Sequence, residues 1–528
     1  MSPFYKIKPN NCFSKKFLST SKQKKFFLFI VSTILFFFFS SQTLAEEVET
    51  FIVALKNKNL SCKVFKNVLS WKQIGNSRLF KIKVNLSEQN IIEFLKHDPR
   101  VRFVEKIKQG SFNNLLLTKD LAENNWFKEI NGYKIKELSL HKKVIVALID
   151  SGIDFNTSFY SNHIFINSNE IPGDGIDNDH NGYIDDVYGW DFGERDNYPQ
   201  DVNGHGSMLT SLILSLCPDA LILPLKINRG LENEFTIDHL VEAIYYAIQI
   251  GAKVINLSLT LREISPSVEE AIKDAYRNGI IIIASAGNES SSISFPASMR
   301  ETIAVGSVYN EIPAWFSPSG PALDLVAPGV GIKCLGIDGI ETWASGTSLS
   351  AAIVSGVCAN LLSMNPYLTS DHIKEFLMKG CRDLGEIGKD INFGAGEIDG
   401  NLLQHVVKPA IILPQHPFYS FNANWTFSIQ FYLPPTDVIT NIYIALEDPN
   451  NEIWFLDIQE QWKQDPNSIA MVLINDFLRG ILFGDNGVFP AFNPFNFPEG
   501  LYKWWIGVTD IDGNLLTPPN YSYMLLFK

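Results

Sequence analysis

The middle of this 528-residue chain predicts an α/β fold, a mostly parallel sheet with helices on both faces. Two observations carry that prediction. Continuously apolar runs at Val144–Asp150, Leu221–Lys226, Lys253–Leu259 and Ile280–Ser285 read as strands buried on both sides. Between them, Ile237–Gln249 and Pro266–Arg277 carry helical spacing, the rhythm of parallel strands joined by crossover helices. The two ends predict different architecture, a small α+β unit in front and an all-β, sandwich-like unit behind.

Taken in order, residues 1–45 read as an export signal. Lysines at 15, 16, 22, 24 and 25 precede the apolar run Phe26–Phe39, which is shorter than a typical membrane span, and Thr43-Leu44-Ala45 offers small residues for cleavage. An uncleaved anchor is the alternative; no later stretch reads as apolar enough to span a bilayer. From Glu46, Phe51–Leu55, Arg78–Leu86 and Val101–Glu105 predict strands, and Ser87–Leu95 a helix capped by Ser87 and broken by Asp98-Pro99. Gln109 to about Asn125 is polar and aperiodic, so an exposed linker is expected there. Trp126, Phe127 and Ile130 lead into the α/β domain, placed at 119–404. In the last segment, 405–528, Trp425, Phe427, Ile429 and Phe431 alternate with polar residues, and Ile442–Leu446 and Ile453–Leu456 flank the turn Asp448-Pro449-Asn450-Asn451. Tyr502–Thr509 repeats the theme, and Phe489–Pro498 reads as an irregular packed loop.

Chemistry enters with three blocks in one chain order: Val144–Gly152 (VIVALIDSG), Asn203–Leu212 (NGHGSMLTSL) and Ser345–Gly356 (SGTSLSAAIVSG). The first ends a buried strand on a carboxylate. The second sets a histidine between two glycines ahead of a helix. The third sets a serine at a helix start, where unpaired N–H groups favour developing negative charge. Asp, His, Ser is one of the few chain orders that build a nucleophilic triad. Together with Ala284–Glu289 (ASAGNE), these blocks resemble the subtilisin-like serine endopeptidases, the subtilase family.

That resemblance implies roles. Ser348 is the nucleophile, His205 the general base, Asp150 the group that orients and stabilises His205, and Asn288 a side-chain donor to the oxyanion. Substrate binds as an added strand along Leu257, Ser258 and Leu259, with Ala286 and Gly287 lining the same cleft. Thr260 stands where the family usually has Gly, Met208 where it has His, and Ala352 where it has Pro. Residues 46–118 resemble an inhibitory propeptide with its linker, a partner of the chain's own cleft. Between Asp150 and His205 lies Asp174–Asp186 (DGIDNDHNGYIDD). Its alternating Asp177, Asp179 and Asn181, then Gly182, match the front half of a calcium loop, with Asp186 as a further ligand. Position twelve from Asp177 is Tyr188, so it is no complete EF-hand, and a solvated polar loop is the alternative.

Composition narrows the field. A net charge of −13 argues against nucleic acid as the main partner, and 46% hydrophobic with 12% aromatic residues excludes global disorder. Six cysteines without a Cys-x-x-Cys pair suggest neither zinc nor redox chemistry; Cys358 reads as a small buried hydrophobe, and the pairing of the others is left open. The sequence therefore predicts a secreted serine endopeptidase acting on polypeptides and maturing itself by propeptide removal, with a structural calcium and no cofactor for catalysis. Its alternatives are a processing peptidase dedicated to one substrate and an inactive relative acting as a binding module.

Overall fold

The computed structural model describes residues 48–57, 68–85, 89–117, 125–139, 141–289, 292–366 and 368–407, and strand segments between 411 and 527. The expected signal at 1–45, the cap Ser87, the turn at 448–451, the loop at 489–498 and most of the strand at 425–431 lie outside the described residues. The chain divides into two units, one from the segment up to Lys72 together with Phe80–Lys106, the other from Gln73–Leu79 and Ile107 onward.

In the first unit, strands β1 (Val48–Leu55), β2 (Ser70–Gln73), β3 (Leu79–Asn85) and β4 (Val101–Lys106) form a sheet in the order β2-β3-β1-β4, with helix α1 (Gln89–His97) between β3 and β4. Alternate residues Phe51, Val53 and Leu55 face Phe80 and Ile82, and Leu95 from α1 and Val101 close the same core. β2 has no counterpart in the sequence reading, because Ser-Trp-Lys-Gln sits at the sheet edge and lacks a buried alternate face.

The second unit is built on a ten-stranded sheet. Its parallel members are β7 (Val144–Asp150), β8 (Trp190–Asp191), β9 (Ala220–Lys226), β11 (Val254–Leu257), β13 (Ile281–Ser285), β14 (Ile303–Tyr309), β16 (Leu325–Pro328) and β20 (Glu397–Ile398). β15 (Ile312–Pro313) and β19 (Cys381–Arg382) add antiparallel ends. Val146, Leu148, Val254, Ile281 and Ile283 share one core with helices α2 (His205–Leu216) and α5 (Thr347–Met364). The intervening Ala147, Ile149, Ile255 and Ile282 are buried outside that cluster. Period two thus puts two faces under cover, the second by α3 (Ile237–Ile250) and α4 (Pro266–Arg277), which pack on β7, β9 and β13. A Cβ on Gly356 of α5 would stand 2.8 Å from the Ile213 carbonyl, so glycine there lets α5 lie close against α2.

Two expectations change. The stretch from Gln109 is not an exposed linker throughout: Gln109–Phe112 is a strand, β5, between β10 (Glu234–Thr236) and β12 (Leu259–Thr260), and Gly110, Phe112 and Asn113 are buried. Its main chain is held by its neighbours, which needs no amphipathic pattern of its own. Next, α5 is long and apolar enough to cross a membrane, contrary to the reading that no later stretch is; it is wholly buried, the helix at the centre of the fold. Cys217, Cys334, Cys358 and Cys381, whose pairing the sequence leaves open, are all free and buried. In the tail, Asn441–Glu447 pairs antiparallel with Ile453–Leu456 and with Gly500–Thr509, within a six-stranded sheet.

Candidate active site

Asp150 ends β7, and its side chain is fully buried. His205 opens α2. Gly204 before it takes φ +95°, and a Cβ on Gly206 after it would fall 2.2 Å from the Gly152 carbonyl. The two glycines therefore allow a left-handed turn and a tight approach to the strand end that carries Asp150. Across that approach Asp150 Oδ1 meets His205 Nδ1 at 2.7 Å and accepts the Ser151 N–H at 2.8 Å. The neighbouring Asp201, which the motif reading passed over, fastens the turn. It accepts from the backbone N–H groups of Asn203, Gly204 and Ser207 and from the hydroxyls of Ser151 and Ser207.

Burial pulls the His205 pKa down, but the charge of Asp150 and its hydrogen bond outweigh this, with help from Asp201, and hold it above the ordinary 6.5. His205 Nε2 and Asp150 Oδ2 are both buried without a hydrogen-bond partner. Ser348, in the first turn of α5, is buried, and its Oγ lies 3.4 Å from the Ser258 carbonyl.

Asn288 follows β13 and faces the start of α5. Its Oδ1 accepts from the Thr347 N–H and the Thr347 hydroxyl, both at 2.9 Å, which turns Nδ2 outward to donate to the Asn114 carbonyl at 3.0 Å. Thr347 thus sets the direction of the amide, a role invisible in a motif where it reads as a spacer. Gly287 donates its N–H to the Thr347 hydroxyl, while Ala286 is tied by its N–H to Val305. Leu257 lies within the parallel sheet, away from the cleft strand; Ser258 and Leu259 meet that strand directly. Thr260 pairs with Ser111 in regular register, so the side chain that replaces glycine leaves strand addition intact.

The acidic insertion gathers Glu170, Asp177 and Asp179, each with a carboxylate oxygen within 4.8 Å of the others. Glu170 was not among the expected ligands, since it lies seven residues ahead of the motif. Asn181 braces Asp177 and Asp179 through its backbone N–H, and Asp186 is drawn elsewhere. Its carboxylate accepts from Asn167, Asn181 and the Tyr246 hydroxyl, and burial raises its pKa. Asp186 is a buried polar tie to α3, not a member of the acidic group.

Residues 141–396 match the family model described as the subtilase family. Subtilisin DY of Bacillus licheniformis is 32% identical over 215 residues, covering 38% of this chain and 78% of that protein. The chain belongs to the subtilase family. Subtilisin-like protease 1 of Plasmodium berghei is 26% identical over 70% of this chain and 69% of its own length. The major intracellular serine protease of Bacillus subtilis is 29% identical over 46% and 72%. This subtilase is accordingly a serine endopeptidase whose substrates are polypeptides.

Proposed function

We propose that Ser348 is the nucleophile of this subtilase, with His205 as its general base, Asp150 as the carboxylate that orients His205, and Asn288 as an oxyanion donor. The observation that carries this reading is the buried 2.7 Å contact between Asp150 and His205, set beside a serine in the first turn of a helix. Asp150 holds the proton on Nδ1, leaving Nε2 as the acceptor for the Ser348 hydroxyl. Attack on a peptide carbonyl drives charge onto the carbonyl oxygen, toward the Asn288 amide and the backbone N–H groups opening α5. Protonated His205 then delivers its proton to the leaving amine, and water hydrolyses the acyl-enzyme by the reverse relay.

Residues 1–45 export the chain, 46–118 act as propeptide and linker, 119–404 form the catalytic domain, and 405–528 an appended β-sandwich-like domain. The Lys-rich start and apolar run support export, and the strand Gln109–Phe112 paired with Leu259–Thr260 beside Ser348 supports self-maturation. Glu170, Asp177 and Asp179 would hold calcium, a hard ion suited to carboxylate oxygens, and when bound it neutralises their mutual repulsion. The decisive experiment treats purified wild type and Ser348→Ala with a fluorophosphonate probe and follows their N-termini. Wild type is labelled and processed; the variant is neither, with kcat reduced about 10⁶-fold, the scale known for the corresponding serine of subtilisin. Normal processing of the variant in a protease-free host overturns self-maturation.

A further inference from the structure

We propose that this subtilase cuts its own chain between Asn113 and Asn114, and that Ser285 makes the pocket for the acyl-donor residue selective for asparagine. The inference rests on the reading of Ser348 as nucleophile and adds to it the bond and the substrate class.

The chain crosses the cleft as a continuous peptide. On one side of Ser348, β5 pairs with β12, Phe112 opposite Leu259, and with β10, Gly110 opposite Phe235. On the other side, Leu116–Leu117 pairs with Ser345 and Ala344 of the strand that runs directly into α5. Four residues, Phe112 to Leu115, therefore span the reacting centre, and their contacts differ. The Phe112 ring stacks on the His205 imidazole, centroids 5.4 Å apart and planes 14° apart, so the residue after Phe112 is the one brought to the base and nucleophile. That residue, Asn113, donates its backbone N–H to the Ser258 carbonyl at 3.4 Å, and its side chain is buried, 5% exposed. Asn114 is exposed, its side chain bonded to exposed Asn233, and its carbonyl accepts from the Asn288 amide at 3.0 Å, so attack at Asn113 requires that amide to swing from the Asn114 carbonyl to the Asn113 carbonyl. The pocket is filled by Asn113.

At the bottom of that pocket stands Ser285, the last residue of β13 and fully buried. Asn113 Nδ2 donates to Ser285 Oγ at 2.6 Å, and Ser285 Oγ donates in turn to the Leu257 carbonyl at 3.4 Å. With its hydrogen committed to Leu257, the serine oxygen presents a lone pair to the substrate. It therefore asks for an N–H donor on a short side chain, which asparagine supplies and leucine of similar size does not. A carboxylate brings only acceptors and a charge into a site with no cation beside Ser285 among these contacts. The sequence reading placed Ala286 and Gly287 in this cleft but stopped one residue short of Ser285.

In the reaction, Ser348 Oγ bonds to the Asn113 carbonyl carbon and the bond to the Asn114 nitrogen breaks. The serine proton passes through His205 to the new Asn114 amine. Water then adds to the ester, giving the Asn113 carboxylate and free Ser348.

Two measurements test this. N-terminal sequencing of protein that has matured alone should read Asn-Leu-Leu, beginning at Asn114; a start at Leu115 or beyond overturns the assigned bond. Mature enzyme should then be given peptides Gly-Ser-Phe-Xaa-Asn-Leu-Leu with Xaa as Asn, Leu or Asp. A lost hydrogen bond that strands a buried polar group corresponds to about 10- to 100-fold, so kcat/KM for Asn should exceed Leu and Asp by that factor. Ser285→Ala should erase the preference for Asn over Leu, while a cooperative thermal transition like that of wild type shows that the variant is folded. Equal rates for Asn and Leu in wild type, or a preference that survives in Ser285→Ala, overturn the selectivity. Fluorophosphonate labelling with no such preference leaves the nucleophile standing; absence of labelling and of all cleavage removes both readings.

Discussion

The cleft and the acidic insertion are two polar clusters in one unit, and they treat their polar atoms in opposite ways. In the insertion every carboxylate is occupied. Glu170 accepts the N–H groups of Asn178, Asp179 and Asp185; Asp185 accepts those of Gly173, Asp174 and Gly175; Asp177 accepts those of Asn181 and Gly182. In the cleft, satisfaction stops short of the reacting atoms. Asp201 and Thr347 are saturated, while His205 Nε2 and Asp150 Oδ2 are buried with no partner. A buried polar atom without a partner costs free energy of about 1–3 kcal/mol, so it persists where function keeps it. Bonded carboxylates shape a loop; in the cleft the open atom is His205 Nε2, where the proton moves.

The contrast breaks most visibly at Asp150. Asp150→Asn preserves the side-chain shape but offers His205 the wrong partner, and kcat should fall about 10⁴-fold. The pH profile should move too. Neutral His205 is the working form and its pKa is held above 6.5, so the wild-type rate falls as pH drops through a value above 6.5. Without the Asp150 charge the acid limb shifts to lower pH; a limb that stays in place means that another group sets it. The same raised pKa gives the folded chain stability that is present below the unfolded value and lost as pH rises through the folded one.

Next in size is the oxyanion side. Asn288→Ala should reduce kcat about 10²–10³-fold with KM little changed, the scale known for subtilisin. A near-normal kcat would assign the amide to structure alone. Thr347→Val sharpens the point, because it keeps the backbone N–H that Asn288 Oδ1 accepts and removes only the hydroxyl. The change removes the hydroxyl's bond to Asn288 and strands the Gly287 N–H, and at about 1 kcal/mol for each this corresponds to a loss of roughly 10- to 30-fold in kcat.

In the insertion, where the oxygens already hold backbone N–H groups, the test reads stability and leaves the rate aside. If calcium is bound at 100 times its Kd, it contributes about 2.7 kcal/mol, which is a few degrees in Tm. Chelator should lower the melting temperature of wild type and leave Glu170→Gln nearly unmoved. Equal shifts in both proteins would place the ion elsewhere.

Much of this was legible in the residues. The strand ending in Asp150, the glycines around His205 and the serine opening α5 stand in short blocks whose local chemistry limits what they can form. The four strands and the helix of the first unit differ from expectation chiefly at β2, whose exposed edge carries no period. Less legible was any feature made by residues far apart in the chain. Glu170 joins Asp177 and Asp179 only because the loop folds back on itself, and Asp186 leaves the group because Tyr246, sixty residues on, takes its carboxylate.

By itself the sequence determined the chemistry available and the parallel α/β frame, since both follow from local order: apolar runs, glycine at tight turns, serine at a helix start. Only the tertiary structure decided which peptide occupies the cleft and in what register. Gln109–Phe112 has no amphipathic pattern, because a strand added to an edge is held through main-chain groups that every residue possesses. Its alignment was settled by side chains from distant elements, the His205 ring under Phe112 and the Ser285 hydroxyl under Asn113, which no reading along the chain brings together.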